Sequence, residues 1–92
     1  MYLRITRGHF DPAAADAIAA LASDVTAAVT RLPGVQQIYQ ARDRSAGTLV
    51  VLSLWDTEEH ARFSREELGD VLARLREQGV RLDPPEIYEV FE

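Results

Sequence analysis

Alternating apolar and polar residues over positions 2–10 predict a first β-strand. Asp11-Pro12 then supplies a helix N-cap and a favoured first helical residue. Between positions 13 and 32 the larger apolar side chains recur at steps of three and four, which predicts one helix with a single apolar stripe that ends at Pro33-Gly34. The residues of this stripe are Ile18, Leu21, Val25, Val29 and Leu32.

The middle of the chain is typical of a β-hairpin. Positions 35–42 and 48–55 are rich in strand-forming residues, and the loop between them, 43–47, contains Asp, Ser and Gly. One face of the second strand carries Val50, Leu52 and Leu54, and the other carries Leu49, Val51 and Trp55. Both faces of this strand are therefore expected to be covered by apolar neighbours.

A second helical region is predicted directly after the hairpin. Asp56 and Glu59 have the spacing of a capping box, and the helix is expected to break near Ser64. A new apolar stripe over 68–75, with acidic residues before it and Gly79 after it, predicts a further helix. Pro84-Pro85 precedes a last strand at 86–91.

The resulting order is β-α-β-β-α-β, which predicts the α+β class and a single domain over residues 1–92. Right-handed crossovers fold this order into a ferredoxin-like plait, a four-stranded antiparallel sheet with helices on one face. The helices cover only one face of the sheet, and no loop is long enough to cover the other. We therefore predict a homodimer that packs sheet face against sheet face.

Composition excludes several functions. With 10 Lys+Arg against 15 Asp+Glu, a net charge of −5 argues against nucleic-acid and anionic-membrane partners. The chain has no cysteine, and its two histidines lack metal spacing, so we expect no disulfide, metal or thiolate chemistry. It contains no apolar run of signal-peptide or membrane-spanning length, which favours a cytoplasmic protein. Nucleotide-binding, serine-hydrolase and zinc-protease motifs are also absent.

The two histidines and the strand arginines are the candidates for proton transfer and charge stabilisation. Histidine is the side chain most often used for proton transfer, so His9 and His60 are candidates, although either one could instead be an ordinary surface residue. Arg4, Arg7 and Arg42 project from strands, and any of them that points inward could hold a phenolate or carboxylate. Solubility of a sheet edge is the alternative explanation for these arginines.

Trp55, the only tryptophan, is the leading candidate for a ligand contact, because an indole at a strand end either fills a core or walls a pocket. Tyr39 on the neighbouring strand and Phe63 on the broken helix could join it around a cavity between sheet and helices. An aromatic-walled pocket of this kind suits a small flat aromatic ligand.

The segment Leu52-Ser53-Leu54-Trp55-Asp56-Thr57-Glu58-Glu59, with the surrounding order of elements, resembles the antibiotic biosynthesis monooxygenase family of dimeric α/β-barrel proteins. The resemblance covers nearly the whole chain. It implies a cofactor-independent monooxygenase that oxidises a phenol, quinol or polyketide with O₂, with Trp55 walling the substrate pocket. The chain lacks the family's pocket Asn and the His that follows this Trp by about two helical turns, which argues against haem degradation.

Three functions remain open. In the monooxygenase hypothesis His60, His9 and Arg7 carry the proton transfer and charge stabilisation, while substrate contacts come from Trp55, Tyr39, Phe63 and Arg42. The second hypothesis is a non-catalytic homodimer that binds a small molecule or has a structural role. The third, a regulatory plait that binds amino acids, is disfavoured by the apolar second face of the sheet.

Overall fold

A computed structural model describes residues 1–91 and confirms the α+β plait. Its strands are β1 (Tyr2–His9), β2 (Val35–Asp43), β3 (Thr48–Trp55), β4 (Arg81–Leu82) and β5 (Glu86–Glu89). The α-helices are α1 (Ala15–Ala19), α2 (Ala22–Thr30), α3 (Glu58–Ala61) and α4 (Val71–Glu77), with 3₁₀ turns at Pro12–Ala14 and Arg65–Leu68.

The sheet is entirely antiparallel, with the order β2-β3-β1 followed by β4 and β5, which pair with the same edge of β1. It therefore has five strands, where the sequence predicts four. The predicted fourth position is occupied by two short strands because Pro84-Pro85 has no N–H to donate to the ladder.

The first helical segment also differs from the prediction. Its apolar stripe is continuous, but the backbone bends by 52° between Ala19 and Ala22. At the bend the amide of Leu21 donates to the carbonyl of Ile18, three residues back, which tightens the turn and redirects the chain. Within residues 1–91 no single helix is long and apolar enough to cross a membrane, although this bent pair passes by length and composition together.

The core lies between the helices and one face of the sheet. Ile18, Val25 and Val29 from the first helical segment meet Val71, Leu72 and Leu75 from α4, as the two stripes predict. Trp55 lies at the end of β3 and is fully buried in this cluster. The broken region between α3 and α4 holds a capping box at Ser64 and Glu67, at the predicted position of the break.

Candidate functional site

A cavity of about 280 Å³ lies between the sheet and the helix layer. Alternate residues of β1, β3 and β2 form its floor, because their side chains point to the helix side of the sheet. Apolar side chains of α2 and α4 and the aromatic ring of Phe63 form much of its roof. The polar residues of the lining are Arg4, Thr6, Gln40, Arg42, Ser53 and Arg65.

Arg4 is the polar centre of this cavity. Its side chain is only 4% exposed, and its Nη1 donates to the backbone carbonyls of Ala61 and Phe63, each at 2.9 Å. The guanidinium carbon lies 3.8 Å from the centre of the Phe63 ring, within cation–π distance. These contacts fix the guanidinium at the point where α3 ends and the broken helix turns.

No carboxylate of residues 1–91 forms an ion pair with Arg4. Burial, and to a lesser extent the nearby cation of Arg65, lowers the pKa of Arg4 to about 10, so it remains charged at pH 7. Its Nε and Nη2 have no protein acceptor in the described chain, and neither atom is sealed from solvent. Two donors of a buried cation that lines the cavity thus have no partner among residues 1–91.

A second cationic group borders the cavity where it reaches the surface. Arg42, on the edge strand β2, is exposed, and its Nη1 donates to the carbonyl of Ala15 at 2.8 Å. Gln40 on the same strand donates to the carbonyl of Ala22 and to Thr26 Oγ1, each at 2.8 Å. These two side chains bridge the edge strand to α1 and α2, and both are exposed lining residues, so the cavity reaches the surface at this edge.

Among residues 1–91, the lining contains three arginines but no Asp, Glu, His or Tyr. These arginines give the cavity a positive electrostatic potential, and most of the remaining lining is apolar. A group of this kind stabilises an anion and supplies no side chain that could accept a proton at neutral pH. Within residues 1–91 no three His, Cys, Asp or Glu side chains are close enough together to hold a metal ion.

Of the predicted ligand contacts, Phe63 and Arg42 line the cavity. Trp55 lies behind the wall: its Nε1 donates to Ser53 Oγ at 2.8 Å, and its ring lies 5.1 Å from that of Phe63. Tyr39 is 63% exposed and lies on the opposite face of the sheet, opposite Leu52 of β3. The structure therefore brings Phe63 and Arg42 to the cavity, places Trp55 one layer out and separates Tyr39 from it.

The predicted catalytic residues lie outside the cavity. Arg7 is exposed on the opposite face of the sheet and pairs with Glu86 at 2.9 Å. His9 is exposed beside Asp83, with its Nε2 3.3 Å from a carboxylate oxygen. The catalytic roles of these residues stay predictions, but none of these contacts brings them to the cavity.

His60 lies beside a second, smaller cavity of about 240 Å³, whose lining includes Phe63. Its Nδ1 is 2.6 Å from Asp56 Oδ1, one helical turn earlier. The hydrogen bond with His60 is the main cause of the lowered pKa of Asp56. This pair fixes the orientation of the imidazole at the start of α3, on the outer side of Phe63.

Gly34→Ala is expected to lower the free energy of unfolding by more than the roughly 1–3 kcal/mol that the strain of a side chain at its φ of 85° costs by itself. The added Cβ would lie 2.2 Å from both Asp56 Oδ1 and His60 Nδ1 and would separate this pair. Chemical denaturation measures the loss. Gly79→Ala is the control, since Gly79 has the same φ of 85° and no atom within 4 Å of an added Cβ. Equal losses in the two variants would contradict the contact with the Asp56–His60 pair.

Sequence reasoning named Arg4 only as one of three strand arginines and did not mark Arg65 at all. Arg4 shares the alternation phase of Tyr2 and Thr6, and pairing opposite Ser53 places it on the helix side of the sheet. The alternation of β1 could have indicated this face, because Tyr2 pairs with the fully buried Trp55 and Arg4 points to the same side of the strand as Tyr2. The sequence did not give the pairing register of β1 with β3, and this register is what distinguishes the buried Arg4 from the exposed Arg7.

Known structures share this fold. A protein of Deinococcus radiodurans, provisionally called an antibiotic biosynthesis monooxygenase, matches with a TM-score of 0.78 and 18% identity over 100% of this chain and 94% of that one. SnoaB, a cofactor-independent oxygenase of Streptomyces nogalater, matches with a TM-score of 0.72 and 15% identity over 99% and 93%. A Nitrosomonas europaea protein, also provisionally called an antibiotic biosynthesis monooxygenase, matches with a TM-score of 0.74 and 16% identity over 100% of both chains.

The comparisons with protein-family models and with curated proteins find no match. At these identities the structural likeness shows the fold. It confirms the resemblance from the sequence at that level.

Proposed function

We propose that this protein is a cofactor-independent monooxygenase that binds a small phenol, quinol or polyketide as its anion and oxidises it with O₂. The observation that carries the proposal is the buried, unpaired guanidinium of Arg4 inside an apolar cavity. The fold shared with SnoaB and the other solved structures supports it.

Electrostatics favours an anionic ligand. A buried cation without a counter-ion is costly, and an anion that enters the cavity offsets this cost while it satisfies the free Nε and Nη2 of Arg4. The nearby Arg65 adds positive potential at the same end of the cavity. Both cations lower the pKa of a bound phenol and so favour its anion.

The reaction needs little from the side chains beyond this stabilisation. Loss of the hydroxyl proton to water gives a phenolate, and loss of a proton from an activated methylene on the same ring system gives a delocalised carbanion. O₂ accepts electrons from this carbanion, one oxygen atom is retained as a carbonyl, and the other leaves as water. The net change converts CH₂ and O₂ to C=O and H₂O. Arg4 stabilises the oxyanion throughout.

Oxygen uptake tests the proposal directly. Phenols, quinols and anthrone-like tricycles are first screened by thermal shift, where a ligand at about 100 times its Kd adds roughly 2.7 kcal/mol of stability. Anthrone-like tricycles that stabilise the protein carry the methylene that this reaction needs, and they are then placed in an oxygen electrode, with consumption of one O₂ per product expected. Stabilisation by such a tricycle without oxygen uptake would contradict catalysis.

Such a result would favour the second candidate, a non-catalytic module that binds a small aromatic anion. The absence of Asp, Glu, His and Tyr from the part of the lining that residues 1–91 form is the observation in favour of this candidate. Both candidates share the anion site at Arg4. A cytoplasmic location is proposed for either, as the sequence predicts.

We further propose that the second face of the sheet forms a homodimer. Leu3 pairs with Leu54, and Ile5 with Leu52, so their side chains form one apolar surface together with Val50. None of these five residues packs against the core. Tyr39 and Tyr88, which are 63% and 51% exposed, lie on the same face. A second copy of this surface would cover it symmetrically.

Leu52→Asp is expected to convert the dimer to a monomer, because it places a charge at the centre of this apolar surface. Sedimentation velocity measures the change. Ala73→Asp introduces the same charge at an exposed site on α4 and is expected to leave the dimer intact. A wild-type protein that sediments as a monomer, or a Leu52→Asp variant that remains dimeric, would contradict this interface.

A further inference from the structure

The cavity carries positive charge at two separate places. Arg4 lies opposite Ser53 in the register of β3, and Arg42 lies opposite Leu49, four residues earlier. The two arginines are on strands that flank β3, so strand spacing and rise place their Cα atoms about 16 Å apart. Their side chains are also held by different segments: Arg4 Nη1 donates to the carbonyls of Ala61 and Phe63, and Arg42 Nη1 donates to the carbonyl of Ala15. The two guanidinium groups are therefore anchored at separate places in the lining.

The two ends of the cavity also differ in depth. Arg4 is 4% exposed and stacks on Phe63, whereas Arg42 is exposed at the edge strand where the cavity opens. Arg42 commits only Nη1 to the Ala15 carbonyl, and no carboxylate of residues 1–91 pairs with it. Arg44, two residues on, is by contrast paired with Asp16 at 2.7 Å.

The wall between the two cations is mostly apolar. It consists of β3 side chains below, Leu49 and Val51, and of α2 side chains above, Val25 and Val29. Thr6 and Gln40, which pair with Val51 from either side, are the polar side chains along this stretch. Such a slot accepts a fused aromatic body, and the charged partners for a ligand lie at its two ends.

We infer that the ligand is a flat aromatic acid with an ionisable hydroxyl at one end, beside Arg4, and a carboxylate at the other, beside Arg42. This inference rests on the proposed function and narrows its substrate class. The hydroxyl end enters first, since Arg4 lies at the deep end. The carboxylate remains at the mouth, where Arg42 donates to it through nitrogens other than the one bound to Ala15. The class thus excludes simple neutral phenols and quinols as the best ligands.

A cycle of two ligands and two proteins tests the inference. The Kd values of 2-naphthol and 6-hydroxy-2-naphthoate are measured by calorimetry for the wild type and for Arg42→Gln, which keeps a side-chain donor but removes the charge. The carboxylate is expected to tighten binding to the wild type by about threefold to tenfold, and to Arg42→Gln hardly at all. The wild-type gain is expected to shrink when ionic strength rises from about 0.05 M to about 0.5 M.

Arg44→Gln is the matched control, because it removes a positive charge from the same edge without touching the cavity lining. It is expected to keep the full gain from the carboxylate. A gain that survives Arg42→Gln, or that is lost equally in Arg44→Gln, overturns the assignment of the carboxylate to Arg42. No gain in the wild type overturns it as well.

Failure of the proposed function has a different signature. If neither ligand binds, both the anion site at Arg4 and the inference are contradicted. If 2-naphthol binds in an Arg4-dependent way but the carboxylate of 6-hydroxy-2-naphthoate does not lower the Kd, only the inference is contradicted. Because 6-hydroxy-2-naphthoate has no methylene to oxidise, catalysis is tested separately with a hydroxyanthrone carboxylate: if it binds through Arg42 but consumes no O₂, the ligand class is supported and catalysis is contradicted.

Discussion

Arg4→Met is expected to lower the rate of oxygen uptake about a hundredfold or more, because it removes the buried cation that lines the cavity. Methionine fills much of the same volume along the Phe63 ring but donates no hydrogen bond. Arg4 contacts the oxyanion both in the bound substrate and in the transition state, so we expect KM to rise while kcat falls, with the largest loss in kcat/KM. Oxygen-electrode assays at several substrate concentrations separate the two constants.

Arg4 also caps the carbonyls of Ala61 and Phe63, so a structural role for it needs its own control. Arg4→Lys keeps the charge but loses the planar fork that binds these carbonyls and the ligand together, and we expect partial activity from it. Unfolding curves of both variants are measured without ligand. Full activity of Arg4→Met in a folded protein would contradict the proposed anion site.

Trp55→Ala is expected to cost about 3–5 kcal/mol of unfolding free energy, since the indole is fully buried and its removal leaves a large void. In a domain of this size such a loss lowers Tm by at least about 15 °C. The variant also removes support from the Phe63 ring, which lies 5.1 Å away. Differential scanning calorimetry measures the change in Tm.

Two milder substitutions separate the contributions of the aromatic ring and of the indole hydrogen bond to this loss of stability. Trp55→Phe keeps an aromatic ring in the core, and Ser53→Ala removes only the acceptor of the indole N–H. Each is expected to cost clearly less than Trp55→Ala. A Trp55→Ala variant as stable as the wild type but unable to bind ligand would show that the indole acts in the pocket, as the sequence prediction has it.

Local signals were sufficient for most of the fold. The strand 48–55 and the helix break near Ser64 are found where alternation and capping residues place them. Two features of the fold were not predicted, because they depend on three-dimensional geometry and not on the pattern of apolar residues along the chain. The bend near Ala20 depends on one tightened turn within a continuous apolar stripe, and β4 is a strand only because two residues meet β1.

The candidate site was predicted less completely than the fold. The sequence placed a cavity between sheet and helices and named Phe63 and Arg42, both of which line it. It assigned catalysis to His9, His60 and Arg7, which lie outside that cavity. Residue type identified groups that could titrate or carry charge, but it carried no information on which face of the sheet each strand residue occupies.

By itself, the sequence determined the order of elements, the apolar stripes of the helices and the two apolar faces of β3, because these follow from periodicity along the chain. The tertiary structure alone decided which arginine is buried. Arg4 and Arg7 differ by three residues, so their side chains point to opposite faces of β1. Only the packing of helices against one of those faces makes Arg4 a buried cation beside Phe63 and leaves Arg7 exposed with Glu86.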